Sequence, residues 1–255
     1  MNRKIVFPAL ILSILLAAGV RANETGQGAD EQKADWLLGG GVLVSTKPYI
    51  GVDPKVYPIP VVAHEGQRLY VRGIITGYRF LKGKHWSVGA VVGPRFGGYD
   101  AGDSPALAGM SDRGWSIDAG VEASWLADWG MVSFSLVTDA LGKHHGQAAE
   151  LSYMALFPLA GFDVIPTAAL RWRSDNLVDY YYGVRPEEAT ASRPAYEGDS
   201  TITPALRLTL RRKLSERWSA LGLVQHEWFS SEITDSPIVE DDSATSFLLG
   251  LTYTF

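Results

Sequence analysis

Residues 115–125 alternate without a break: Trp115, Ile117, Ala119, Val121, Ala123 and Trp125 fall on one parity, Ser116, Asp118, Gly120, Glu122 and Ser124 on the other. Strand side chains leave on opposite faces with period two. One face is therefore apolar with Trp at both ends, and the other carries carboxylates. A strand with one face against lipid and aromatic girdles at both interfaces has this form. The pattern returns in Trp86, Val88, Ala90, Val92, Pro94 and Phe96 against Ser87, Gly89, Val91, Gly93 and Arg95, and in Leu206, Leu208 and Leu210 against Arg207, Thr209 and Arg211.

Shorter alternations occur around Phe134, Tyr153 and Leu170, and the chain ends on Phe247, Leu249, Leu251, Tyr253 and Phe255. An amphipathic last strand with a terminal Phe resembles the signal read by the outer-membrane barrel-assembly machinery. A soluble β-sandwich also alternates, but the Trp placement and this end favour the barrel. Tight connections at 81–84, 127–128, 159–161 and 214–217 alternate with long ones at 97–113, 175–199 and 231–243. Short periplasmic turns and long external loops follow that rule. Eight strands from Trp86 onward, with 36–46 and 69–80, predict an all-β, antiparallel up-and-down transmembrane barrel of ten strands over residues 35–255. Pro58 and Pro60 argue against a strand at 56–62. If that stretch pairs with a split 69–80 segment, the count becomes twelve.

Composition fits export. Asn2, Arg3 and Lys4 precede an apolar run broken by Pro8, and small residues end at Ala22. This is a signal peptide over 1–22, because a spanning helix needs about 20 apolar residues. Residues 23–34 are polar and predict a flexible periplasmic start. Without Arg3, Lys4 and Arg21, 20 basic residues face 28 acidic ones, a net charge of about −8 with His neutral, which excludes nucleic acid as partner. Cysteine is absent, so a hydrogen-bonded closure must do what disulfides do in other exported folds.

Arg95, Asp118, Glu122, Arg171, Arg173, Arg207 and Arg211 fall on inward parities. Small barrels leave room for side chains, and water-filled channels need about 16 strands, so these charges are expected to pair as a lumen network. A general porin is not expected. His64, His85, His144, His145 and His226 have no neighbour spacing that marks a triad with Asp139, Ser152 or Ser230, and motifs for acyl transfer, phosphate or zinc are absent. No enzyme activity, cofactor or metal is expected. The acidic clusters at 100–103 and 240–242 read as solvated loop tips.

Three loop stretches are more specific. Asp100, Asp103, Ser104, Pro105, Leu107, Gly109, Asp112 and Arg113 lie in the first, Asp179, Tyr180, Tyr181, Tyr182, Gly183 and Val184 in the second, ahead of Glu188-Ala189, and Ser236, Pro237, Ile238 and Val239 in the third. In that order they resemble the MipA/OmpV family, across the whole mature chain. The early loop departs from the family pattern, reading Ile50-Gly51-Val52-Asp53 where an Arg-Gly-Ser-Asp-like stretch is the rule. The resemblance implies an outer-membrane scaffolding protein, set in lipid and lipopolysaccharide, that binds a lytic transglycosylase and a bifunctional murein synthase. A narrow solute channel or a small-molecule binding surface is the alternative, and a homodimer stays open. The motif residues also have structural readings: an Asp112–Arg113 ion pair, a turn at Ser104-Pro105 and a lid or girdle at Tyr180 to Tyr182.

Overall fold

The computed structural model describes residues 36–255; the signal peptide at 1–22 and the segment at 23–34 lie outside them. Thirteen strands run in chain order: β1 (Trp36–Ser45), β2 (Lys55–Glu65), β3 (Leu69–Arg72), β4 (Ile75–Lys82), β5 (Trp86–Arg95), β6 (Ser116–Ala127), β7 (Gly130–Asp139), β8 (Gln147–Met154), β9 (Phe157–Leu159), β10 (Phe162–Arg173), β11 (Thr201–Lys213), β12 (Trp218–Trp228) and β13 (Ser243–Thr254). Neighbours pair antiparallel, and β1 closes on β13 from Leu37↔Thr254 to Ser45↔Ser246. β8 and β9 share one place in the wall, since both pair with β10. The barrel therefore has twelve strands, the alternative count, in place of ten.

Two local features account for the difference. Gly73, at φ 66°, turns the chain within 69–80 and splits it into β3 and β4. The 56–62 stretch is a full strand despite its prolines, with β2 paired to β1 from Trp36↔His64 to Ser45↔Lys55. Pro58 and Pro60 are tolerated because β2 has a partner on only one side there. β3 reaches only Ala63 to Glu65.

The outer surface follows the alternation. Trp36, Trp86, Trp125, Trp129, Trp218 and Phe255 are exposed near the short-turn end, and Trp115 and Trp228 near the long-loop end. These positions mark the two interfaces of a lipid-facing band. Inside, the barrel has two kinds of wall. Leu43, Tyr57, Val61, Ala63, Leu221, Leu223 and Leu248 form an apolar cluster on β1, β2, β12 and β13, while the ion pairs run round the rest of the wall from Glu65 at the end of β2 to Glu227 on β12.

Candidate functional site

The long loops fold into one cap over the external end. It contains α1 (Asp175–Tyr182) and the short α2 (Ser231–Thr234). Its core is Tyr49, Val52, Tyr99, Leu107, Met110, Val178, Val184, Ile233, Ile238 and Val239, with Tyr182, Tyr196 and Phe229 packed against it. Side chains from all three motif stretches thus meet in one apolar cluster, held by rings such as Tyr49 on Tyr99 at 4.8 Å. Backbone bridges Tyr49↔Val239 and Val184↔Tyr196 tie the loops together.

The polar motif residues serve the same assembly. Ser104 accepts the Ala106 N–H and precedes Pro105 at the start of a short 3-10 turn, and Gly109 takes φ 84°, a left-handed conformation that glycine adopts without strain. Asp103 pairs with Lys55 at 2.5 Å and accepts the Asp100 N–H. Asp179 accepts the N–H of Gly198 through its side chain and that of Gly183 through its carbonyl. The Ser236 hydroxyl, next to Pro237, donates to the Tyr182 carbonyl. Tyr181 and Tyr182 border a cavity of ≈ 100 Å³ beneath the cap, and Tyr180 packs edge-on against Tyr181.

Asp112 and Arg113 do not pair as expected. Asp112 accepts the Ala101 N–H, while Arg113 donates to Glu188 at 2.8 Å with both side chains almost fully buried. Glu188 also accepts the N–H groups of Ser111 and Arg185, and the Arg193 guanidinium donates to the carbonyls of Ala106, Ala108 and Glu188. This joins the first loop stretch to the second. Burial alone would raise the Glu188 carboxyl, but those N–H donors and Arg113 hold it down to about 2. A carboxylate depressed from 4.5 stabilises the cap fully above the unfolded value, and the contribution is lost as pH falls through about 2. Cap loops in vesicle-inserted protein will therefore resist pepsin at pH 4.5 and become cleavable near pH 2, with the strands still protected. Equal resistance at both pH values would remove Glu188 as the anchor.

Sequence parity placed seven lumen charges, and all seven face inward. Arg95 pairs with Asp118 through Nε at 2.6 Å, and His144 Nε2 lies 3.2 Å from the other Asp118 oxygen. Arg171 meets Glu150 at 2.8 Å and Glu227 at 2.7 Å; Arg173 meets Glu227 at 2.5 Å. Arg207 donates to Gln225, Arg211 pairs with Asp163, and Glu122 accepts from Tyr70 and Arg72. Glu65, Arg72, Arg79, Glu150, Asp163, Gln225 and Glu227 complete the network unforeseen. Gln225 and Glu227 share the parity of Leu221 and Leu223, a usable signal; Arg72 and Arg79 were hidden by the mistaken single strand. Gly77 is required here, since a Cβ would come within 2.0 Å of the Tyr70 ring lying between Arg72 and Arg79.

Asp118, Asp139 and His144 lie close enough to hold an ion. Asp139 is already engaged by the Ser116 hydroxyl and the N–H groups of Leu141, His144 and His145, and Asp118 by Arg95. These acceptors are committed to the fold. His226 faces outward, edge-on to Trp228 and hydrogen-bonded to Thr245, and His64 stacks on Trp36 at 4.3 Å. Neither sits beside a carboxylate that would orient a base.

A family described as MltA-interacting protein MipA matches residues 38–255. The chain belongs to this family. It is 30% identical over 245 residues to the MltA-interacting protein of Escherichia coli, covering 94% of this chain and 98% of that one. It is 31% identical over 157 residues to the outer membrane protein Omp26La of Vibrio anguillarum, covering 62% of this chain and 60% of the relative. The figures for the outer membrane protein OmpV of Vibrio cholerae are 30% over 157 residues, with 62% and 60% covered. Fold and relatives together place this MipA-family barrel in the outer membrane.

Proposed function

We propose that this MipA-family barrel is a non-enzymatic scaffold holding a lytic transglycosylase, and with it a bifunctional murein synthase, at the periplasmic face of the outer membrane. Family membership supports the reading, together with the name of the relative from Escherichia coli. One structural observation carries the location: Arg68, Lys82, Lys84, Arg212, Lys213 and Arg217 are all exposed around the short-turn end, against Asp128 and Glu216. The external loop motifs are engaged in the cap, so the periplasmic rim is the surface left for a cell-wall partner. A cationic rim steers partners with acidic surfaces.

The test is binding of purified lytic transglycosylase from the same cell to vesicle-inserted barrel. Reversing Lys82, Lys84 and Lys213 to Glu is expected to weaken binding at least about tenfold, roughly 1.4 kcal/mol, with heat-modifiable gel migration unchanged. No binding by the unaltered barrel would end the scaffold reading. The narrow-channel reading rests on the ≈ 100 Å³ cavity beneath the cap, bordered by Arg95, Glu150, Arg171, Arg173 and Glu227. Planar-bilayer recordings without conductance above background would remove it.

A further inference from the structure

The wall of the barrel is incomplete in one place. β3 and β4 form a short hairpin whose turn, at Gly73 and Ile74, lies part-way up the wall, while β2 and β5 continue past it toward the external end. The ladder from β3 ends where the Gly73 N–H donates to the Val62 carbonyl, and the ladder from β4 ends at Thr76↔Val92. Among the described residues, no strand pairs with residues 55–61 of β2 or 93–95 of β5 on the sides that face each other. Two wall strands are missing there. Neighbouring strands lie about 4.8 Å apart, so the notch replaces a substantial width of wall.

The prolines mark its rim. In an antiparallel ladder, alternate residues direct both backbone groups to the same neighbour. The Gly66 N–H to Leu69 bond and the Gly73 N–H to Val62 bond show that even-numbered positions of β2 point toward β3. Pro58 and Pro60 therefore present their donor-less nitrogens to the notch. On β5, the Leu126 N–H to His85 bond assigns odd-numbered positions to β6 and even-numbered ones to the β4 side. Pro94 thus faces the notch from the opposite rim. A proline at each of these positions removes a donor that an incoming strand would need. The rim rejects peptide and stays open.

Its surroundings say what it admits. Val56 and Val92 are exposed at 63% and 43%, beside the exposed Pro58 and Pro60, so the mouth is apolar. Behind it lies a cavity of ≈ 80 Å³ whose near side is Ile75, Val91, Gly93 and Pro94 and whose far side is polar, with Arg72, Arg95, Asp118, Glu122, Glu150 and the hydroxyls of Ser133, Ser135 and Ser152. The adjoining inner wall is the apolar cluster of Tyr57, Val61, Leu221, Leu223 and Leu248. The top is bridged: Lys47 donates to the Gly98 carbonyl, Lys55 pairs with Asp103, and Tyr49 packs on Tyr99. The opening is thereby directed sideways, into the outer leaflet.

We propose that this notch is a lateral port that admits an acyl chain of an outer-leaflet lipid into the apolar side of the lumen. The remaining rim carbonyls accept hydrogen bonds from hydroxyls or water, and an acyl chain places no competing backbone against them. The port is independent of the transglycosylase reading, since it opens at the other end of the barrel.

The chain has no cysteine, so single labels can be placed cleanly. Ile75→Cys, on the inner side of the mouth, would carry a small environment-sensitive fluorophore; Thr209→Cys, buried on the inner face of β11 and outside the cavity behind the mouth, and Tyr78→Cys, on the lipid face, serve as references. Each protein is refolded into vesicles whose phosphatidylcholine bears brominated acyl chains, and folding is checked by heat-modifiable migration. The expected result is quenching at Ile75 as deep as at Tyr78, with Thr209 unquenched. A second variant lengthens the β3–β4 hairpin by two residues on each strand and should abolish quenching at Ile75. Quenching at Ile75 by aqueous iodide alone would make the notch a water opening and overturn the proposal. Protection from both quenchers would show a sealed wall and overturn it equally.

Discussion

Replacing Glu188 with Gln will release the external cap while the barrel wall stays folded. Arg113 and Glu188 are buried together, at 2% and 3% side-chain exposure, and Glu188 also accepts two backbone N–H groups. Removing one partner of a buried pair leaves an uncompensated charge and costs about 3–5 kcal/mol. Gln keeps one acceptor but not the charge, so the loss falls on Arg113. Loops of this kind open at lower free energy than ladders, and the cost should appear as local opening. Trypsin acting on vesicle-inserted protein will cut the variant after Arg113 at least about tenfold faster than the unaltered chain, while Arg185 and Arg193 precede proline and resist the enzyme in either form. The strands will still resist unfolding by detergent until heated. An unchanged cleavage rate would show that the apolar cluster around Leu107, Val178 and Ile238 holds the loops without the ion pair. Replacing both partners with apolar residues should restore much of the protection, because no charge is then left buried.

The same cap shows how far the sequence can be read. Strand periodicity exposes one face of each strand at a time, so the barrel, the inward parity of Arg95 or Arg171 and the aromatic girdles were all legible. Pairing between distant loops leaves no local period. Arg113 stands beside Asp112 in sequence, yet its carboxylate comes from Glu188 in another loop. Position 73 had a comparable effect on the strand count. A single glycine at positive φ split what alternation presents as one strand, and the prolines that argued against β2 instead mark where its neighbour is missing. Proline reads as a breaker only when a ladder partner stands on its donor side.

Inside the wall, Glu227 is the position whose loss will cost most. Its two carboxylate oxygens serve Arg171 at 2.7 Å, Arg173 at 2.5 Å and the Thr203 hydroxyl at 2.6 Å. Arg207 is close by, donating to the same Gln225 that accepts from Arg171. Glu227→Ala therefore leaves three guanidinium groups within one buried cluster and only Glu150 as carboxylate partner to Arg171. Breaking a single buried pair costs about 3–5 kcal/mol, and this change breaks two while adding like-charge repulsion. The expected result is a large fall in the urea midpoint of the barrel in lipid vesicles, unlike the cap-confined effect of Glu188→Gln. Thr203→Val removes the hydrogen bond donated to the same carboxylate and the one accepted from Arg173, and should cost about 1–3 kcal/mol for each buried group left unpaired. The comparison also decides what the network is for. If Glu227→Ala unfolds the barrel without first raising conductance, the charges hold the lumen shut as part of the wall. If conductance rises while the midpoint stays fixed, the network is a gate, and the lumen rather than the periplasmic rim is the working surface of the barrel.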